Sequence, residues 1–156
     1  MTAAEISEAE ATARGRSVAI IAARFNDLIV ASLIKGARER WIERGGGSEE
    51  LLIVRVPGAF ELPVVARRLA SSGRYHAIVA LGCVIRGDTP HFDYVAGECA
   101  RGLQLASLET GVPVIFGVLT VETLDQALER AAVSAGNKGG ESMECALEMT
   151  ALMARL

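Results

Sequence analysis

Histidine, tryptophan and cysteine are scarce in this chain, at two, one and three copies in 156 residues. Cys83, Cys99 and Cys145 are odd in number and widely spaced, with no CxxC pair and no clustered histidine. That pattern excludes a disulfide framework and a structural zinc module, so no metal is expected. The thiols are expected to be reduced and buried, in a cytoplasmic protein. Basic charge is not in excess either: 16 Lys and Arg stand against 19 Asp and Glu, a net charge of -3, with a pI near 5.5. A dedicated nucleic-acid binder normally carries a basic face, so small-molecule ligands are expected instead. No apolar run approaches the roughly 18 residues that would span a bilayer, which leaves no membrane partner. Nucleophile triads, P-loops and GxGxxG are absent as well.

The N-terminal MTAAEISEAEATARG is acidic and rich in small residues, without the basic start and apolar centre of a secretory signal. Residues 1–16 are expected to form a flexible N-terminal segment, or one ordered only against a neighbouring subunit. The remainder, 17–156, has no linker-like break and is the length of one domain.

What the chain does have is apolar surface. Hydrophobic residues make up 51% and mean hydropathy is +0.32. A domain this small exposes much of its surface, so the surplus points to burial against further copies of itself.

The apolar residues fall into short β-branched runs alternating with longer amphipathic stretches. Ser17 to Ala23, Leu51 to Val56, Ala77 to Val84 and Val114 to Leu119 are expected as strands. Helices are expected from Asp27 or Leu28 to Arg44, Glu61 to about Ser72, Pro90 to about Thr110, Thr123 to about Ser134, and Glu141 to Leu156. Gly45-Gly46-Gly47 breaks the first of these, and the Gly136 to Gly139 stretch precedes the last. Near-continuous apolar strands each followed by a helix predict an α/β fold: a three-layer α/β/α sandwich around a four-stranded parallel sheet of order 2-1-3-4. Such sheets bind ligands beyond the carboxyl ends of their strands.

The unusual residues gather at those ends. In Gly87-Asp88-Thr89-Pro90, Pro90 suits the first position of a helix and Thr89 its cap, behind a glycine that lets backbone approach a ligand. A helix start of this kind seats phosphate through free N–H groups, or is simply a well-capped turn. Asp88 argues against phosphate, because a carboxylate repels it. His91, in the first helical turn, is either a general base at a strand end or a satisfied histidine without a role. His76, in a turn before a strand, is given no role. Phe25, between Arg24 and Asn26, could stack on a planar heterocycle; Phe60 and Phe92 read more simply as core plugs. Glu61 either binds hydroxyls or caps the next helix. Arg130 and Lys138 either balance a phosphate or stay solvated.

Taken jointly, RFN after the first strand, VPGAFELP after the second, LGCVIRGDTPHFDYV across and beyond the third, GVPVIFGVLT at the fourth and AGNKGGE before the last helix resemble the 6,7-dimethyl-8-ribityllumazine synthases of riboflavin biosynthesis. The resemblance runs from about Val18 to the C-terminus. It implies a flavodoxin-like fold and a transferase that needs no cofactor, condensing 5-amino-6-(D-ribitylamino)uracil with 3,4-dihydroxy-2-butanone 4-phosphate. It further implies that Phe25 stacks on the pyrimidine, that Ala59, Phe60 and Glu61 hold the ribityl chain, and that Val84 and Ile85 meet the ring edge through backbone. Gly87, Asp88 and Thr89 would cradle the phosphate with Arg130, His91 would move protons, and Phe116 and Lys138 would reach the site. Members place the pocket between subunits of a pentameric ring, and some assemble into 60-subunit icosahedral shells. The compact link from Ser134 to Gly140 leans toward a shell. A riboflavin-forming dismutase on a similar fold and a lumazine- or flavin-binding carrier without catalysis are the alternatives.

Overall fold

The run Val18–Ala23 is apolar at every position, which suits a strand covered on both faces. In the computed structural model, which describes residues 3–7 and 9–156, that run is β1 and all six of its residues are buried. It pairs in parallel with β2 (Leu51–Val56) on one side and β3 (Ala77–Ile85) on the other. β4 (Val114–Val121) pairs in parallel with β3. The order is therefore β2-β1-β3-β4, the expected one.

Period-two alternation along β1 feeds two separate cores. Val18, Ile20 and Ala22 join Ile29, Val30 and Leu33 of α1 (Asp27–Glu43), Ala127 of α4 (Leu124–Ala131), and Met143 and Leu147 of α5 (Lys138–Met153). Ala19, Ile21 and Ala23 join Leu62 and Ala66 of α2 (Leu62–Ala70) with Cys99 and Leu103 of α3 (His91–Thr110). These are the outer layers of the α/β/α sandwich. Each fully buried Ile or Leu here stabilises it by about 1.5–3 kcal/mol. Glycines set how closely α1 and α5 approach: a Cβ on Gly139 would strike the Leu33 carbonyl, and one on Gly36 the Asn137 side chain. The glycine run after α1 does more than break the helix. The Trp41 ring lies against Gly46, and its Nε1 donates to the Gly47 carbonyl at 2.9 Å.

Helix ends differ from the expected ones for local reasons. Between β2 and α2 a 3-10 turn, Ala59–Glu61, takes the first three residues after Gly58, and α2 stops at Ala70. α3 begins at His91 with Pro90 at its cap position, and no side chain caps it; Thr89 Oγ1 accepts only a long 3.4 Å bond from the His91 N–H. α4 ends at Ala131 because Ala132 turns extended, at φ -58° and ψ 127°. α5 begins three residues earlier than expected, since Asn137 adopts a left-handed conformation and its side-chain oxygen accepts from the Gly140 N–H. Lys138 is thus helical rather than part of a break.

Two further expectations are corrected. Cys145 is exposed on α5, while Cys83 and Cys99 are buried. His76 has a structural role: its N–H donates to the Ser17 carbonyl at 2.8 Å and its Nδ1 accepts from the Ser17 N–H at 2.9 Å, fixing the entry to β1 against β3. Of residues 1–16, Met1, Thr2 and Glu8 lie outside the described residues. Ala13 is buried in the α1 core and donates to the Arg44 carbonyl at 3.0 Å. No helix among the described residues is long and apolar enough to cross a membrane.

Candidate active site

The direction in which successive strands are laid across the sheet reverses at β1, because β2 lies to one side of β1 and β3 to the other. This switch point leaves a crevice at the carboxyl ends, where ligands bind in open α/β sheets. β3 deepens it. Its pairing with β1 ends at Leu81, whereas its pairing with β4 continues to Ile85. Beyond Leu81, one edge of β3 therefore faces the crevice with no strand against it.

Three loops close over that edge. After β1, the Arg24 N–H donates to the Val56 carbonyl at 2.7 Å and the Phe25 N–H to the Pro57 carbonyl at 3.1 Å. Asn26 then turns left-handed, at φ 61°, and its Nδ2 donates to the Cys83 carbonyl at 2.8 Å. Phe25 is left 72% exposed. After β2, the 3-10 turn presents Ala59, Phe60 and Glu61. After β3, Gly87 to Pro90 lead into His91 and α3.

Together they enclose a cavity of about 660 Å³, lined by Phe25, Gly58, Ala59, Phe60, Glu61, Cys83, Val84, Ile85, Gly87, Thr89, His91, Phe92, Tyr94 and Val95. Its walls are mostly apolar with a few polar groups converging from different loops, the usual composition of a small-molecule site. Nine of the residues singled out from sequence meet here: Phe25, Ala59, Phe60, Glu61, Val84, Ile85, Gly87, Thr89 and His91. Asp88 is exposed and not among the lining residues. Phe60 is 57% exposed and is no core plug. Glu61 makes no capping hydrogen bond to α2, and its Oε2 lies 3.1 Å from where a Gly58 side chain would begin. Burial pushes the Cys83 thiol up to about 11, which removes it as a nucleophile near neutral pH. Among the described residues no cluster of three or more His, Cys, Asp or Glu could hold a metal ion.

Phe116, Arg130 and Lys138 are not brought to this cavity within one chain. They line a second one of about 270 Å³ with Thr120, Val121 and Ser142, on the β4 side. Arg130 Nη1 donates to the Gln126 carbonyl at 3.2 Å, and Lys138 Nζ lies 2.9 Å from Glu141 Oε2. Phe116 is 45% exposed on the outer strand of the sheet.

Several lining residues escaped the sequence reading. Tyr94 and Val95 follow His91 at helical spacings of three and four, so a neighbour search along α3 would have found them. Phe92, expected as a core plug, is half-buried and lines the cavity instead, with the Arg86 guanidinium 4.4 Å above its ring.

A model of the 6,7-dimethyl-8-ribityllumazine synthase family matches residues 15–154. The chain belongs to that family. Among its relatives is a protein named 6,7-dimethyl-8-ribityllumazine synthase from Nitratidesulfovibrio vulgaris, 54% identical over 149 residues that cover 96% of each chain. For a lumazine synthase family member the matched span takes in every strand, the loops of the cavity and the second cavity as well.

Proposed function

We propose that the chain catalyses the condensation of 5-amino-6-(D-ribitylamino)uracil with 3,4-dihydroxy-2-butanone 4-phosphate, releasing phosphate and water and giving 6,7-dimethyl-8-ribityllumazine, in riboflavin biosynthesis. The observation that carries this reading is the convergence of the RFN, GAFE and VIRGDTPH loops on one cavity, in a chain that belongs to the lumazine synthase family.

In this reading Phe25 covers the pyrimidine face, and the unpaired edge of β3 at Val84 and Ile85 meets its polar rim through backbone. Ala59, Phe60 and Glu61 receive the ribityl chain, with Glu61 accepting from its hydroxyls. Gly87 and Thr89 seat the phosphate at the start of α3; Asp88 shapes that loop while its side chain points to solvent. His91 takes a proton from the attacking amine and returns protons during imine formation, phosphate elimination and ring closure. Two reactants held together need mainly proximity, which suits so spare a set of groups.

Arg130, Lys138 and Phe116 come from a neighbouring copy. Their separate cavity, and the exposed Leu124 and Leu128 beside it on α4, support a site shared between subunits of a cytoplasmic, ring-forming homo-oligomer. The family resemblance makes that ring a pentamer, and the compact Ser134 to Gly140 link leans toward a 60-subunit shell. Light scattering tests this: a mass near five or ten chains removes the shell.

Mixing both substrates with the purified protein and following the yellow-green lumazine chromophore tests the activity. Formation of the chromophore is expected. Its absence together with bound flavin would make the chain a carrier, and conversion of lumazine to riboflavin would make it the dismutase.

A further inference from the structure

The Gly87 to Pro90 loop has little to hold it in place. Its hydrogen bonds are local, Thr89 Oγ1 with the His91 N–H at 3.4 Å and the Pro90 carbonyl with the Asp93 N–H at 3.0 Å. Neither a side-chain cap nor a buried polar partner fixes the helix start behind it. A phosphate seat needs backbone groups held within a fraction of an ångström, so something adjacent must supply the rigidity.

Arg86 is the residue at which β3 gives way to that loop. Its N–H donates to the Val121 carbonyl at 2.9 Å, closing the β3–β4 ladder. Its guanidinium reaches three other groups. Nε lies 2.9 Å from Glu122 Oε2, Nη2 lies 3.4 Å from Asp93 Oδ1, and the plane covers the Phe92 ring at 4.4 Å. Glu122 begins the connection from β4 to α4, and its own N–H donates to Gln126 Oε1 at 2.8 Å. Among the described residues, the Arg86 pair with Asp93 is the one ion pair that reaches the first turn of α3.

We propose that Arg86 is a positioning residue for the condensation: it clamps the first turn of α3 to the end of β4, fixing Gly87, Thr89 and His91 without itself touching substrate. This rests on the site assignment made above. A guanidinium is suited to it, because one rigid plane serves two carboxylates with different nitrogens and an aromatic face at the same time. An ammonium has no such fork. Arg86 is absent from the residues lining the cavity, and its guanidinium is taken up by Glu122, Asp93 and the Phe92 ring. Through Phe92 on one side and the Val121 carbonyl on the other, it joins a residue that lines the larger cavity to one that lines the smaller.

Steady-state kinetics on Arg86→Met, Arg86→Lys and Glu122→Gln test the proposal, with each substrate varied in turn and the thermal midpoint recorded. The expected result is a rise of roughly tenfold or more in KM for the butanone phosphate and a fall in kcat in Arg86→Met. KM for the ribitylaminouracil stays within about twofold, since Phe25, Ala59, Phe60 and Glu61, which hold most of it, stand on the loops after β1 and β2 rather than on the first turn of α3. Arg86→Lys does not restore either value. Glu122→Gln, which keeps shape and removes one arm, moves KM in the same direction by less, and the double variant falls short of the sum. A lower KM in Glu122→Gln would show instead that Glu122 restrains an arginine that binds phosphate directly, and would overturn the clamp. So would an equal rise for both substrates, or unaltered kinetics in a folded Arg86→Met. Failure of the wild-type protein to form lumazine would count against the assigned reaction rather than against Arg86.

Discussion

Asn26 Nδ2 donates to the Cys83 carbonyl at 2.8 Å, joining the loop that carries Phe25 to the strand end that carries Val84 and Ile85. The bond occupies a carbonyl two residues beyond the stretch of β3 paired with β1, and it ties an aromatic face to a backbone edge across the crevice.

Asn26→Gly separates the two functions of this residue. Glycine accepts the left-handed backbone but removes the carboxamide, so the change costs about 0.5–1.5 kcal/mol. Asn26→Ala loses the bond and adds left-handed strain of about 1–2 kcal/mol. Denaturant unfolding should rank the variants in that order. Both should raise KM for the ribitylaminouracil, because Phe25 loses its fixed position. An unchanged KM in a folded Asn26→Gly would leave the bond a purely structural one.

Two glycines should behave oppositely. A Cβ at Gly139 meets the Leu33 carbonyl, whereas one at Gly87 meets nothing within 4 Å, and neither has a positive φ. Gly139→Ala must therefore separate α1 from α5 and is expected to destabilise by about 1–3 kcal/mol. Gly87→Ala should melt within a degree or two of the wild type, since surface changes without a steric conflict cost roughly 0.5 kcal/mol or less. The added methyl group would instead stand where the phosphate sits, raising KM for the butanone phosphate alone. Normal kinetics in Gly87→Ala would take the phosphate away from this loop.

Stability toward acid has a named contributor. Glu144 of α5 accepts from Arg44 Nε at 2.9 Å and Nη2 at 2.6 Å and from Arg40 Nη1 at 3.2 Å. Desolvation raises its pKa, but hydrogen bonds and charge from Arg44 and Arg40 outweigh that and hold it below its ordinary 4.5. A carboxylate depressed on folding contributes stability in full above its unfolded value and loses it as pH falls through the folded one. Glu144→Gln should lower the thermal midpoint at pH 7. The difference from wild type should shrink once pH drops below 4.5. A gap that stays constant into acid would assign the effect to packing.

The sheet was legible because its signal is periodic and strong. Val18 to Ala23 and Ala77 to Val84 are apolar runs with β-branched residues and few structural options. Helix ends were less so, because they turn on single residues: Asn137 going left-handed starts α5 at Lys138, and a 3-10 turn takes Ala59 to Glu61. The loops at the carboxyl ends were identified, yet the contacts that hold them were not. Arg86 with Glu122, and Asn26 with Cys83, are 36 and 57 residues apart, a separation over which pattern carries no information. Phe92 and Tyr94 were missed for a related reason. An aromatic on a helix reads as core until the opposing wall is known.

The separation of His91 from Arg130 into two cavities gives the sharpest test of a shared site. His91→Ala should lower turnover without abolishing it, since general base help is worth roughly 10²–10⁴-fold at most. Arg130→Ala should raise the requirement for the phosphorylated substrate. If each site draws His91 from one subunit and Arg130 from its neighbour, assemblies refolded from an equal mixture of the two variants contain whole sites. Random mixing makes about a quarter of the junctions complete, because a given junction needs one particular variant on each side. Activity of the mixture should then exceed that of either variant alone and approach a quarter of wild type. A single-chain site predicts no such gain, since every chain would carry one lesion, and a mixture no more active than the mean of its parts would overturn the shared site.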